Sequence, residues 1–137
     1  ARKLVGVDAG DEIRSAIAFA ERHGVDHRTA VTYNAVRTDG IPIDRGSRTW
    51  PNTERIKAAV ALYELDGVDP APVIDPTAEL LLTRYLSKPL HGTWIDAFAA
   101  NGQPLAKTAP ASTLYHVFLA FAEVLRIAEG SSPNRPT

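Results

Sequence analysis

Apolar residues recur along this chain at two spacings, and the switches between them mark out its elements. Ile13, Ala16, Ile17 and Ala20 stand three and four positions apart, which predicts a helix over residues 11–23 closed by Gly24. A hairpin pattern follows: Val31 to Val36 and Ile41-Pro42-Ile43 flank the turn pair Asp39-Gly40, with Pro42 marking an edge. Helical spacing returns from Pro51, a favoured first helical residue, and places Ile56, Val60 and Tyr63 on one core-facing stripe until Gly67. Residues 69–76 hold Pro70, Pro72 and Pro76 and read as a linker. Asp75 or Thr77 then caps a helix carrying Leu80, Leu81 and Leu82, bounded by Lys88-Pro89. Residues 94–98 alternate like a strand, and Asn101-Gly102 supplies a second hairpin turn before Gln103-Pro104-Leu105. The last helix starts near Ser112 or Thr113, with Leu114, Val117, Phe118, Phe121 and Leu125 along an apolar stripe. Residues 130–137 are polar and rich in helix breakers, which predicts a disordered tail, and Ala1 to Val5 read as the end of an earlier helix. The predicted class is all-α with short β-hairpins, arranged as stacked helical hairpins with no fixed-period repeat.

Composition narrows the classes of function. Fifteen basic against sixteen acidic residues leave a net charge of −1, without a long block of either sign, so nucleic acid and anionic membrane are unfavoured as partners. The absence of cysteine removes disulfides, thiolate metal sites and cysteine nucleophiles, and fits a cytoplasmic protein. No unbroken apolar run approaches the roughly 20 residues of a membrane span, which predicts a soluble chain. Neither common glycine-rich phosphate loop nor a Gly-x-Ser-x-Gly elbow occurs, so nucleotide-dependent chemistry and serine hydrolysis lose their usual signatures.

Polar and aromatic groups concentrate instead at two helix entrances. His116 falls in the first turn of the last helix, where the positive end of the helix dipole disfavours an added positive charge. A neutral imidazole there can remove a proton; the structural alternative is a histidine bonded to a loop carbonyl. Trp50 and Glu54 are four positions apart and share a face if the helix already runs through both. Glu54 at a helix start is favoured by the dipole alone. The pair would equally suit a sugar, the indole meeting C–H groups and the carboxylate receiving hydroxyl hydrogen bonds. Trp94 on the second hairpin carries the same two readings. His23 and His27 have the spacing of a metal pair, but Gly24 between them ends the helix and destroys the shared face, so no metal site is predicted.

Three ordered segments carry a resemblance. Arg48-Thr-Trp-Pro-Asn-Thr-Glu-Arg-Ile-Lys-Ala58, Gly92-Thr-Trp-Ile-Asp-Ala-Phe-Ala-Ala-Asn-Gly-Gln-Pro-Leu105 and Pro110-Ala-Ser-Thr-Leu-Tyr-His116 are similar to the N-acylglucosamine 2-epimerase superfamily. Within it the chain resembles bacterial members described as mannose or mannose-6-phosphate isomerases. The resemblance implies an (α/α)6 toroid with the sugar in its central cavity. Residues 1–129 would then be the C-terminal portion of one such domain. It further implies aldose–ketose interconversion, mannose to fructose or the 6-phosphates, through an enediolate and without metal or organic cofactor. A 2-epimerase of the same superfamily and a noncatalytic helical binding module are the alternatives.

Carried over residue by residue, the resemblance makes His116 the late catalytic histidine and places Trp50, Glu54, Trp94 and Tyr115 around the sugar. Arg48, Arg55 and Lys107 are the cations that a sugar phosphate could meet, although scattered surface cations are commoner. Two departures stand out. The family's other catalytic histidine, in a Gly-His-x-x-Glu-Trp segment, has no counterpart here, and Asn52 stands where glutamine is usual. The expectation is that this chain alone is inactive. Its expected partners are a monosaccharide or sugar phosphate, the remainder of a parent polypeptide, and further copies of itself through exposed helix faces.

Overall fold

A computed structural model describes residues 9–87, 93–105 and 108–130. Its elements run α1 (Gly10–His23), β1 (Val25–Asp26), β2 (Val31–Thr32), β3 (Ala35–Val36), β4 (Pro42–Asp44), β5 (Ser47–Arg48), α2 (Thr49–Asp66), α3 (Ala71–Leu80), β6 (Ala97–Phe98) and α4 (Ala111–Gly130). The class is all-α with short two-stranded sheets, as the periodicity predicts. The helix expected in residues 1–5, the Lys88-Pro89 boundary and the tail from 131 onward lie outside the described residues.

The core lies where α2, α3 and α4 meet. Ile56 and Val60 of α2, Ile74 of α3 and Ala120 of α4 are buried together with Leu81, Tyr85 and Phe98. Each large aliphatic side chain so placed contributes about 1.5–3 kcal/mol relative to exposure. Tyr85 meets the Phe98 ring edge-on at 4.9 Å and 84°, while the Arg84 guanidinium lies 4.4 Å from the same ring. Helix α2 ends as its sequence predicts: Gly67 adopts φ +71 and donates its N–H to the Tyr63 carbonyl at 2.9 Å.

Several sequence expectations give way to tertiary structure. The proline-rich linker is largely helix α3. Pro70 sits at its N-cap and Pro72 within the first turn, where a missing N–H costs nothing, so only Pro76 interrupts the ladder. The capping side chain is Asp69, which accepts the Ala71 N–H at 3.0 Å; Asp75 and Thr77 lie inside the helix. After Leu80 the helix widens into one π-turn, Leu81–Tyr85, with the Leu86 N–H reaching the Leu81 carbonyl at 2.9 Å.

The first hairpin is split in two. Val31–Thr32 pairs with Val25–Asp26, and only Ala35–Val36 pairs with Pro42–Asp44 across the Asp39-Gly40 turn. Gly40 takes φ +85, and a Cβ there would stand 2.3 Å from the His23 ring. The His23 ring thus packs under this turn, beyond which the chain has left the helix at Gly24 before His27. Of residues 94–98, only Ala97–Phe98 form a strand, paired with Ser47–Arg48. The Asn101-Gly102 turn forms as predicted, with the Ala99 N–H bonded to the Gln103 carbonyl at 2.8 Å.

Two apolar stripes are less covered than the pattern predicts. In α1 only Gly10 is buried, and Tyr63 at the end of the α2 stripe is 36% exposed. In α4 the buried positions are Thr113 and Ala120, while Leu114, Phe118 and Leu125 are exposed along with Tyr115. At 20 residues and a mean hydropathy of 1.3, α4 is also long and apolar enough to cross a membrane by length and composition alone. The expectation of no unbroken apolar run of span length stands, because Glu123 and Arg126 interrupt the helix; only its average hydropathy reaches that range.

Candidate functional site

The β5–β6 pairing brings two helix starts together. Beside it, the Thr49 N–H at the head of α2 donates to the Asp96 carbonyl at 2.9 Å, and the Thr49 hydroxyl donates to the Ile95 carbonyl at 3.2 Å. The Asp96 side chain completes the tie by accepting the Thr113 hydroxyl, on the first turn of α4, at 2.9 Å. All three polar residues are buried: Thr49 0%, Thr113 4% and Asp96 5% exposed. A buried carboxylate bonded in this way fixes position, since each donor would otherwise lose water without replacement.

Asn52, fully buried, secures the same corner from the other side. Its amide donates to the Arg48 carbonyl at 2.6 Å and the Ser47 hydroxyl at 3.0 Å, and its oxygen accepts the Thr32 N–H at 3.0 Å. The shorter side chain at this position is therefore committed to holding β2 and β5 against α2.

With both helix starts fixed, Trp50, Glu54 and His116 converge. Because α2 begins at Thr49, Trp50 and Glu54 do share a face. His116 Nδ1 lies 2.6 Å from Glu54 Oε1, and Lys57 Nζ lies 2.6 Å from the same oxygen. The histidine's partner is thus a carboxylate and not a loop carbonyl. An ionised carboxylate only accepts, so Nδ1 carries the hydrogen and Nε2 is the acceptor of a neutral ring. Tyr115 stacks on the imidazole with centroids 3.9 Å apart, and the Trp50 ring lies 6.0 Å away.

Beside this cluster opens a cavity of about 370 Å3, within the roughly 300–1,000 Å3 of small-molecule sites, with Arg48, Trp50, Asp96, Ser112, Thr113 and His116 on its walls. A neighbouring cavity of about 480 Å3 lies between α1 and α2, also touched by Trp50 and Glu54 but walled mainly by residues such as Ile17, Ala20, Ala58 and Leu62. His116 lines the first cavity and Glu54 the second, so the pair sits where the two adjoin at Trp50.

Four of the five residues expected at the site therefore come together: His116, Trp50, Glu54 and Tyr115. Trp94 lines neither cavity, and its indole N–H is buried without a hydrogen-bond partner among the described residues. Of the three cations, Lys107 lies outside the described residues. Arg55 is not available to a phosphate: its side chain is 8% exposed and clamps Glu21 bidentately at 2.9 and 2.5 Å, with Nη1 on Thr77 Oγ1 at 2.9 Å. Arg48 remains, exposed on the cavity wall. It acts on Asp44 by charge; that carboxyl is held below its ordinary range by Asn34, by the Gly46 N–H and, last, by Arg48. Asp96 is the site residue that periodicity missed. Its signal is a lone acid within the apolar segment Trp94-Ile-Asp-Ala-Phe98. Among the described residues no group of three or more His, Asp or Glu side chains is placed to hold a metal ion.

Sequence comparison places this helical scaffold in a known class of protein. The sequence model of the family described as N-acylglucosamine 2-epimerase (GlcNAc 2-epimerase) matches residues 8–120, and the chain belongs to that family. Among curated proteins it is similar to one called mannose-6-phosphate isomerase from Rhizobium meliloti (strain 1021), 36% identical over 114 residues. The match covers 81% of this chain and 30% of that protein, so the chain spans under a third of its relative's length.

Proposed function

We propose that this chain supplies one wall of a sugar-isomerising site, with His116 as general base and acid and Glu54 as the residue that positions it. The observation carrying this reading is the 2.6 Å contact between His116 Nδ1 and Glu54 Oε1 beside Trp50. Nε2 of the neutral ring takes the proton from C2 of an open-chain aldose, and the electron pair left behind forms the C1–C2 double bond of an enediolate. Return of a proton to C1, with transfer of the O2 proton to O1, gives the ketose. Trp50 offers an apolar face to the sugar's C–H groups, and Tyr115 holds the imidazole plane by stacking.

The remaining parts of the site come from outside this chain. Exposed Leu114, Phe118 and Leu125 on α4, and the open cavity between α1 and α2, are the faces that the other helices of an (α/α)6 toroid would cover. Its single domain would take in residues 1–129. The relative's name favours aldose–ketose isomerisation. The family's description favours a second reading, 2-epimerisation, in which the proton returns to the opposite face of C2 from a second group.

The test is proton NMR of mannose in deuterated water with the longest polypeptide that carries this segment and with its His116→Ala variant. Deuterium at C1 of newly formed fructose, absent in the variant, supports isomerisation. Deuterium at C2 with glucose as product selects epimerisation, and no exchange by the unaltered polypeptide overturns both.

A further inference from the structure

The carboxylate that orients His116 is itself held by a third group. Lys57 Nζ lies 2.6 Å from Glu54 Oε1, the same oxygen that His116 Nδ1 meets at 2.6 Å. A carboxylate oxygen offers about two acceptor sites, so the ammonium and the ring N–H fill both. The two donors come from different elements: Lys57 stands three residues beyond Glu54 on α2, and His116 belongs to α4. Glu54 is 40% exposed, and with a single anchor its side chain could turn either oxygen, or neither, toward the imidazole. A second anchor leaves it one orientation. The Lys57 side chain is 25% exposed, against 42% and 50% for the basic partners in Arg14–Asp11 and Arg126–Glu123, which have the same spacing, so water screens its charge less.

Resting on the proposed sugar reaction, we infer that Lys57 is a positioning residue for the base. Its ammonium locks the Glu54 carboxylate in the orientation that keeps hydrogen on His116 Nδ1 and leaves Nε2 free to accept a proton. Glu54 and His116 each line one of the cavities that adjoin at Trp50, whereas Lys57 lines neither. It therefore acts on the site through Glu54. An ion pair at this spacing also supports the helix, but helix support alone predicts a loss of stability with no change at the His116 ring.

The experiment reads the His116 tautomer ratio by long-range proton–nitrogen NMR in the 137-residue chain and its Lys57→Met and Lys57→Arg variants. It adds kcat and KM on mannose for the same variants of the longest polypeptide that carries this segment. Lys57→Met keeps an apolar stem without charge or donor, and is expected to lower the Nδ1–H preference about threefold, in line with a partly exposed pair. It should lower kcat by a similar factor with KM unchanged, because Lys57 lines neither cavity. Lys57→Arg, which keeps charge and donors, should retain both. In a Glu54→Ala background Lys57→Met should change nothing further at the ring. A tautomer ratio unmoved by Lys57→Met, or moved equally with Glu54 absent, overturns the role of Lys57 while leaving the sugar reaction standing. A higher KM at unchanged kcat overturns it too. No turnover by the unaltered polypeptide refutes the reaction and this inference with it. Lys57→Gln, a second uncharged variant, decides the matter if Lys57→Met fails to fold.

Discussion

Removing the Glu54 carboxylate should change which nitrogen of His116 carries its hydrogen. The contact is 2.6 Å, and the side chains are 20% exposed for His116 and 40% for Glu54. Hydrogen bonds to charged groups contribute a net of about 1.5–3 kcal/mol, and partial exposure places this one near the lower end. A bias of about 1.5 kcal/mol is roughly a tenfold preference for the Nδ1–H tautomer over Nε2–H. Long-range proton–nitrogen NMR of the ring, recorded above neutral pH, reads the two tautomers directly. The unaltered chain should give an Nδ1–H signature. Glu54→Ala should release it toward Nε2–H and take away the acceptor that proton abstraction requires. In an active polypeptide the same change should lower kcat about a hundredfold, by analogy with the loss of an orienting carboxylate elsewhere, reduced for exposure. An Nε2–H ring in the unaltered chain, or an unchanged tautomer ratio in Glu54→Ala, would refute the positioning role.

Other outcomes follow from the packing. Arg55→Met leaves Glu21 without its bidentate partner and opens the tie to Thr77; breaking such a pair costs about 3–5 kcal/mol when fully buried. Glu21 is 32% exposed and can rehydrate, so a loss of about 2–3 kcal/mol and a urea midpoint lower by about 1 M or more are expected; a shift within about 0.3 M argues against the clamp. Tyr85→Phe should be neutral or mildly stabilising, because the Tyr85 hydroxyl is buried near Ser47 and Asn52 without hydrogen-bonding geometry, and the Phe98 contact survives. Burial raises the phenol above its ordinary range, so the unfolded chain loses this proton first and stability falls with rising pH above about 10; denaturation profiles should show that fall vanish in Tyr85→Phe. Asp66 is held below its ordinary range by hydrogen bonds from Arg14, so its share of stability is complete above the unfolded value near 4 and is lost as pH falls through the lower folded one. Carboxyl carbon NMR should find Asp66 titrating at higher pH in Arg14→Gln.

The elements that local chemistry specifies were legible in the sequence. Gly67 closes α2 because a left-handed residue is needed there, and the Asp39-Gly40 and Asn101-Gly102 turns form where their dipeptides stand. What periodicity misread was decided by partners distant in sequence. Val31–Thr32 has no preference of its own for Val25–Asp26 over the strand beyond Asp39-Gly40. Asn52 settles it by accepting the Thr32 N–H from twenty residues away. The prolines of residues 69–76 punctuate the chain by composition, yet Pro70 and Pro72 fall at a helix entrance, where proline is tolerated.

The site divides in the same way. Trp50 and Glu54 could be placed on one face from their spacing, whereas His116, expected on the first turn, is the sixth residue of α4 and lies in its second turn, because the helix starts at Ala111; and no spacing rule joins residues sixty-two positions apart. That join depends on Asp96, which holds the start of α2 through its carbonyl and the start of α4 through its carboxylate. An acid between Ile95 and Ala97 reads as one polar position in an alternating strand, and only the fold turns it into the link between two helix entrances. The consequence for chemistry is specific. Asp96→Asn keeps an acceptor for Thr113 and should preserve the Glu54–His116 contact. Asp96→Ala removes it, leaves Thr113 buried without a partner, and should loosen His116 from Glu54 without touching either residue. The His116 tautomer in these two variants separates a corner that merely packs from one that sets the geometry of the base.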